Sequence, residues 1–344
     1  MLKKLFYVFL ISLLPVIGVI AYGWHVMEQQ MQATLPLAQE RTVQVRSGTS
    51  FNQLTRLLQQ EGLVGNVDLV RLYARLNPQI TAIKAGEYRL QPDESLLQLL
   101  DRMNRGDVVR HYFTLIEGHT FDDMRLALSL DDRITQTLDD INDDALMEML
   151  GSPDLAPEGM FLAETYQFQR DDTDVDMLRR AHRDLQTFLE QQWESRDESL
   201  PYESPYEALI MASIIEKETG VPEERAKIAG VFVRRLEVGM RLQTDPTVIY
   251  GMGDSYEGRI RRADLQQPTP YNTYTISGLP PTPISLVGRE AIVAALNPER
   301  GDWLYFVAKG DGSHQFSRTL QEHNAAVRQY QLNRRSDYRS SPGG

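Results

Sequence analysis

From Ala208 to Ile215 the chain is almost wholly apolar, then Glu216, Lys217 and Glu218 arrive together before Gly220. No other stretch constrains the fold as much. A run of this kind reads as a helix buried on most sides, and such a helix needs a core built around it. Gly220 predicts a left-handed stop, and Pro222 predicts the first turn of the next helix. At helical periodicity Glu218 stands over Ile214 and Ile215, with Met211 one turn further back. A carboxyl on that stripe, near the negative end of a helix, has its ionised form disfavoured twice. The pattern predicts an acid of raised pKa, the property that a general acid in glycosidic-bond cleavage requires. A structural Glu paired with Lys or Arg satisfies the same pattern.

The length of 344 residues allows two or three domains, and 42% hydrophobic content suffices for real cores. A net charge of -12 argues against a nucleic-acid partner, which needs concentrated basic surface. The chain has no cysteine, which excludes disulfides, thiolate catalysis, Cys-ligated metals and lipoprotein acylation. Near the N-terminus, Leu5 to Trp24 is mostly apolar and, at about twenty residues, long enough to span a bilayer. Lys3 and Lys4 precede it, so the expected topology keeps the N-terminus cytoplasmic and exports the rest. Trp24 would mark the outer interface. A cleaved signal peptide ending near Val19 and Ala21 is the competing reading, disfavoured by the length of the run and by Tyr22 and Trp24 after it.

Five regions follow from the texture of the chain. Residues 1–25 are expected to be the cytoplasmic N-terminus and transmembrane anchor, and 26–41 a polar juxtamembrane stalk. Residues 42–107 read as a small βααβ domain. Its elements are a strand at Thr42–Arg46, a helix Phe51–Glu61 capped by Ser50 with Gln53, a helix Val67–Leu76, a strand Gly86–Leu90, and a further helix Ser95–Arg105 stopped by Gly106. That order resembles a LysM-type carbohydrate-binding module; a simple spacer satisfies it equally. Residues 108–334 read as a larger mixed α/β domain with a strand at Val108–Leu115, a helix capped by Thr120, and a long helix from Asp174 to about Trp193. Residues 335–344 read as a disordered tail. The fold class expected is α+β.

The remaining polar motifs lie beyond the Glu218 helix. Leu242-Gln243-Thr244-Asp245-Pro246-Thr247 reads as a loop, because a residue before proline is pushed away from helical geometry. Tyr271-Asn272-Thr273-Tyr274 and Gly278-Leu279-Pro280-Pro281 supply rings, amides and a proline-stiffened turn, as a sugar-binding groove or a tight surface loop would. No pair among the six His has helical zinc-ligand spacing, and Ser213 lacks a nucleophile-elbow context.

Several segments together resemble the YceG-like family of endolytic murein transglycosylases. Ala212-Ser213-Ile214-Ile215-Glu216-Lys217-Glu218-Thr219 is similar to its catalytic helix, and Arg241–Gly251 to its long second motif. Pro270–Tyr274 and Gly278–Pro281 resemble the third. Leu304–Ala308, His314-Gln315-Phe316 and His323-Asn324 resemble the C-terminal part. One departure is Met160-Phe161-Leu162-Ala163-Glu164-Thr165-Tyr166, where Ala163 and Glu164 stand for the family's Pro and Asp.

The resemblance implies a membrane-anchored lytic transglycosylase of the bacterial inner membrane, with its catalytic domain in the periplasm. It would cut the β-1,4 bond between N-acetylmuramic acid and N-acetylglucosamine within nascent strands, leaving 1,6-anhydro ends. Glu218 falls on the catalytic position. Gln243, Thr244, Asp245, Tyr250, Tyr271, Asn272 and Tyr274 are expected to contact substrate or support groups that do. Glu216, about 200° round the helix from Glu218, is expected to pair with a basic group, such as an Arg of the following helix. No metal or cofactor is implied; the partners implied are peptidoglycan strands, peptidoglycan synthases and the inner membrane. Two alternatives stay open: a hydrolytic muramidase using Glu218 with Asp245, and a non-catalytic peptidoglycan-binding scaffold.

Overall fold

The computed structural model describes residues 2–332, with side chains from Leu13 onward. Residues 335–344, expected to be a disordered tail, lie outside that range. The chain divides into two compact units, Met1–His111 with Gln167–Asp171, and Tyr112–Tyr166 with Asp172–Gly344. It therefore leaves the first unit after His111, returns for a short segment, and leaves again. The fold is mixed α/β, with twelve α-helices among the described residues and strands paired only two at a time.

The first unit holds α1 (Leu2–Gln32), β1 (Arg41–Val45), α2 (Phe51–Gln60), α3 (Val67–Leu76), β2 (Gly86–Leu90) and α4 (Leu96–Arg105). The βααβ order expected from sequence is present, with α3 and β2 at the expected bounds. Strands β1 and β2 pair antiparallel, Arg41 opposite Leu90 and Val45 opposite Gly86. Their inward side chains meet Leu54, Leu58, Leu99 and Met103 in one buried cluster. Reciprocal capping boxes start α2 (Ser50 with Gln53) and α4 (Ser95 with Gln98), and Gly106 closes α4 in the left-handed region at φ 77°. Each such cap contributes on the order of 1 kcal/mol, which is why these bounds could be read locally.

The segment after Trp24 departs from expectation. Among the described residues no helix is long and apolar enough to cross a membrane; the expected span Leu5–Trp24 lies partly beyond the described side chains. Residues 26–41 are not a free stalk, because α1 continues to Gln32 with Met27 and Met31 buried, and Leu35 just beyond it is buried in the first unit. Two methionines one turn apart make too narrow a stripe to stand out in a glutamine-rich segment. Trp24 packs against Tyr73, ring centroids 6.1 Å apart.

The second unit runs β3 (His111–Thr114, its first residue in the first unit), α5 (Phe121–Ser129), α6 (Asp143–Met149), β4 (Thr165–Phe168, shared likewise) and α7 (Asp174–Glu194). Then follow α8 (Pro205–Glu218), α9 (Pro222–Glu237), α10 (Asp245–Met252), α11 (Arg289–Leu296), β5 (Tyr305–Ala308), β6 (His314–Ser317) and α12 (Leu320–Val327). The buried helix expected from Ala208 onward is α8, with every residue from Ala208 to Ile215 buried. Helices α7, α9, α10 and α11 pack around it. The strand expected from Val108 begins only at His111.

Two further expectations are corrected. Helix α8 does not end on a left-handed Gly220; Thr219 terminates it in extended geometry, φ -147° and ψ 134°. The extended chain then leads directly to Pro222 at the start of α9, so the turn needs no positive φ. Asp245 is not in a loop but heads α10. Pro246 falls in the first helical turn, where a missing N–H costs nothing, and the Asp245 carboxylate sits at the positive end of the helix.

Candidate active site

Helix α8 opens with Ser204 accepting from the Glu207 N–H, and Pro205 sets the first turn. Ser213, buried in mid-helix, donates its hydroxyl to the Ile210 carbonyl and accepts from the Ile284 N–H (2.7 and 3.0 Å). It ties α8 to the proline-stiffened segment and has no base beside it in those bonds.

At the end of α8 the acids part. Glu216 turns to Arg225 of α9 (3.2 Å) and accepts from the Gly288 N–H (3.0 Å), its side chain 4% exposed. Arg225 also lies 3.6 Å from Glu117 and 3.8 Å from Glu290. The expected pairing of Glu216 with an Arg of the next helix is therefore present. Lys217 donates to the Gly118 carbonyl at 2.9 Å.

Glu218 points to the start of α10 and accepts a short hydrogen bond from the Thr244 hydroxyl. Its pKa is pushed up to about 7, chiefly by desolvation, with the Asp245 charge raising it further and Thr244 and Arg235 opposing. The sequence expectation of a raised acid agrees in direction and in leading cause.

Thr244 is held from all sides. Its N–H donates to the Thr273 hydroxyl (3.0 Å), and its carbonyl accepts from Thr247 (2.8 Å). Gln243, just before it, is exposed and has φ 49°, the only non-glycine residue with positive φ among those described. Such a conformation persists only where the surroundings fix it. Here Arg235 does so, donating to the Leu242 carbonyl at 2.6 Å and to the Leu304 carbonyl at 2.7 Å while 8% exposed. Arg235 is not among the site residues expected from sequence. Nothing local marks it, since its partners come from two distant segments.

The other expected site residues divide. Asp245 is exposed and accepts from the Tyr274 hydroxyl at 2.6 Å, so Thr244, Asp245 and Tyr274 gather with Glu218, and Gln243 adjoins them along the chain. Asn272 does not join as a free ligand. It is 1% exposed, donates to the Asp264 and Gln267 carbonyls, and accepts from the Tyr274 N–H. Its amide is consumed in bracing the loop.

Tyr250 and Tyr271 form a second group. Their rings meet edge to face at 4.8 Å, and the Tyr271 hydroxyl lies 2.9 Å from that of Thr282. Tyr250 hydrogen-bonds Glu158, an acid not singled out from sequence. Glu158 is buried and accepts from the Phe121 N–H at 3.1 Å. Burial raises it to about 7, against the hydrogen bonds of Phe121 and Tyr250. The signal was Pro157 and Gly159 around a lone acid entering the apolar run Met160–Ala163. That run is buried core, with Tyr166 donating to the Leu162 carbonyl and the Met160 carbonyl 2.9 Å from His182.

Among the described residues, no three His, Asp or Glu side chains gather as metal ligands would. The arrangement supplies one poised acid, a nearby carboxylate held by a tyrosine, and exposed polar groups around them.

Residues 43–329 match the YceG-like family. Over 310 residues the chain is 28% identical to the endolytic murein transglycosylase of Bacillus subtilis (strain 168), covering 84% of each. It is 26% identical to the protein of that name from Streptococcus pneumoniae serotype 2, covering 84% of this chain and 58% of that one. A crystal structure of a YceG-like protein from Listeria monocytogenes superposes with a TM-score of 0.52 at 31% identity, covering 84% of this chain and 99% of that one. The chain belongs to the YceG-like family.

Proposed function

We propose that this chain is an endolytic lytic transglycosylase of peptidoglycan, with Glu218 as its single acid–base residue. The observation that carries the reading is the setting of Glu218, an acid at the end of a buried helix, poised near 7 and bonded only by a hydroxyl among its hydrogen-bond partners here. Protonated, it delivers its proton to the oxygen between N-acetylmuramic acid and the following N-acetylglucosamine. As carboxylate it then accepts the proton of the muramoyl 6-hydroxyl, whose oxygen closes on C1 to give the 1,6-anhydro end. One group serves in both directions, and no water is consumed.

Asp245, held by Tyr274, faces the positive charge that develops on the sugar ring. Gln243, exposed beside Thr244, and Tyr274 would contact the sugars, Thr244 positions Glu218, and the Tyr250–Tyr271 pair gives a face on which a sugar can stack. The printed names of the Bacillus and Streptococcus relatives support the substrate and the endolytic mode.

We read α1 as the single-pass anchor in the inner membrane, with the rest periplasmic, on the strength of the apolar run Leu5–Trp24 after Lys3 and Lys4. The first unit, by its βααβ order, is a LysM-like glycan-binding module, and peptidoglycan synthases are the partners that would supply nascent strands.

The test is digestion of peptide-bearing glycan strands by the full chain in detergent, read by mass spectrometry. Muramoyl ends lighter by one water, lost with Glu218→Gln, are expected. Ends carrying the full water would make the protein a hydrolase with Asp245 as second carboxylate, and absence of cleavage would favour a scaffold.

A further inference from the structure

The first unit covers its apolar side chains almost completely. Among its described residues, the only exposed large apolar side chains outside α1 are Leu72 (45%) and Leu76 (56%), one turn apart on α3. They lie opposite the buried side of that helix, which carries Val67, Val70 and Ala74. Along α1 itself, Leu13, Leu14, Val16, Ile17, Val19, Ile20 and Tyr22 are all exposed.

Two contacts fix how α3 runs against α1. Gln30 donates to the Asn66 carbonyl at 2.9 Å, and Trp24 meets Tyr73 at 6.1 Å between ring centroids. Going back from Gln30 to Trp24 covers about 9 Å of helix, and going forward from Asn66 to Tyr73 covers about 10 Å. The helices are therefore antiparallel and in step. Leu76, three residues past Tyr73, comes level with Ala21, about 4–5 Å beyond Trp24 into the apolar length of α1. Arg75, exposed beside it, is a cation at the same level.

We infer that the C-terminal end of α3 is a membrane seat, with Leu72 and Leu76 immersed at the headgroup–acyl boundary of the phospholipid bilayer that α1 enters. The occupant is lipid because Leu76 stands level with the exposed apolar length of α1 and Leu72 level with Trp24 at its edge, beside the aromatic pair Trp24–Tyr73 and the cation Arg75. That combination suits the boundary, where rings sit at the headgroups and guanidinium meets phosphate. The seat fixes the height and tilt of the first unit above the bilayer, which a flexible stalk would leave free. It rests on reading α1 as the anchor.

The absence of native cysteine allows single nitroxide labels on the full chain in phosphatidylethanolamine–phosphatidylglycerol vesicles, through Val19→Cys, Leu72→Cys, Leu76→Cys and Gln59→Cys. Gln59 is exposed and shares a surface hollow with Asn66, at the far end of α3. Collision with oxygen is expected to dominate at Val19, Leu72 and Leu76, and collision with a water-soluble nickel chelate at Gln59. If Val19 reads lipid while Leu72 and Leu76 read as wet as Gln59, the anchor stands and the seat is overturned. If Val19 reads water, the anchor reading fails. The seat, defined by the bilayer that α1 enters, is overturned with it.

Discussion

Glu158 and Glu218 are both carboxyls that burial raises to about 7, yet they sit at opposite kinds of helix end. Glu158 lies at the start of α5, where both its oxygens take the Phe121 N–H and Tyr250 adds a further bond. Glu218 lies at the end of α8, the negative end of the helix dipole, and the Thr244 hydroxyl is its donor. The first site spends its carboxyl on holding elements together, and the second leaves lone pairs and a proton for a ligand. A raised pKa therefore marks both, and only the count of donors separates the structural acid from the reactive one.

The comparison is broken most decisively by replacing each acid with its amide. Glu218→Gln is expected to lose about 10²-fold or more in turnover with folding retained, whereas Glu158→Gln should stay within several-fold; equal losses would erase the distinction. Next in size is the buried ion pair behind α8. Arg225→Met leaves Glu216 without its cation and should cost about 3–5 kcal/mol in denaturant unfolding.

The third prediction is a stability slope. A carboxyl whose folded pKa lies above its unfolded one binds more protons when folded, so stability is full below about 4.5 and falls as pH rises toward about 7. For Glu158 the loss amounts to roughly 3 kcal/mol at most. Glu158→Gln should flatten the decline of melting temperature between pH 5 and 8, and an unchanged slope would show that this acid does not titrate there.

The smallest effects should sharpen the picture at Glu218. Turnover needs the protonated acid, so it should fall as pH rises past about 7. Thr244→Val removes a bond that favours the carboxylate and should move that limb to higher pH. Asp245→Asn removes a charge that disfavours it and should move the limb lower. Shifts in the same direction would contradict the assigned causes.

What could be read from sequence was what the chain settles over a few residues. The capping box at Ser50, the Gly106 stop of α4, the buried run of α8 with the raised acid at its end, and Pro222 opening α9 depend on neighbours within a turn or two. What could not be read depends on partners brought from afar. Asn272 carries the same amide whether it meets a sugar or the carbonyls of Asp264 and Gln267. Arg235 looks like any charged residue on an amphipathic helix until Leu242 and Leu304 arrive. Gly220 and Asp245 misled for a different reason. Residue preference names a geometry that is permitted or discouraged, and here the turn into Pro222 and the first turn of α10 each offered another solution.

The path of the chain has an evolutionary consequence. The first unit is completed by Gln167–Asp171, a segment inserted from within the second, with Gln44 reaching Asp171 at 2.5 Å and Glu87 beside Arg170 at 3.8 Å. A module threaded in this way cannot be shuffled between genes by a single cut. Recombination that exchanged only residues up to 111 would strand five residues of the old module in the new host, so the two units are bound to be inherited together and to drift as a pair.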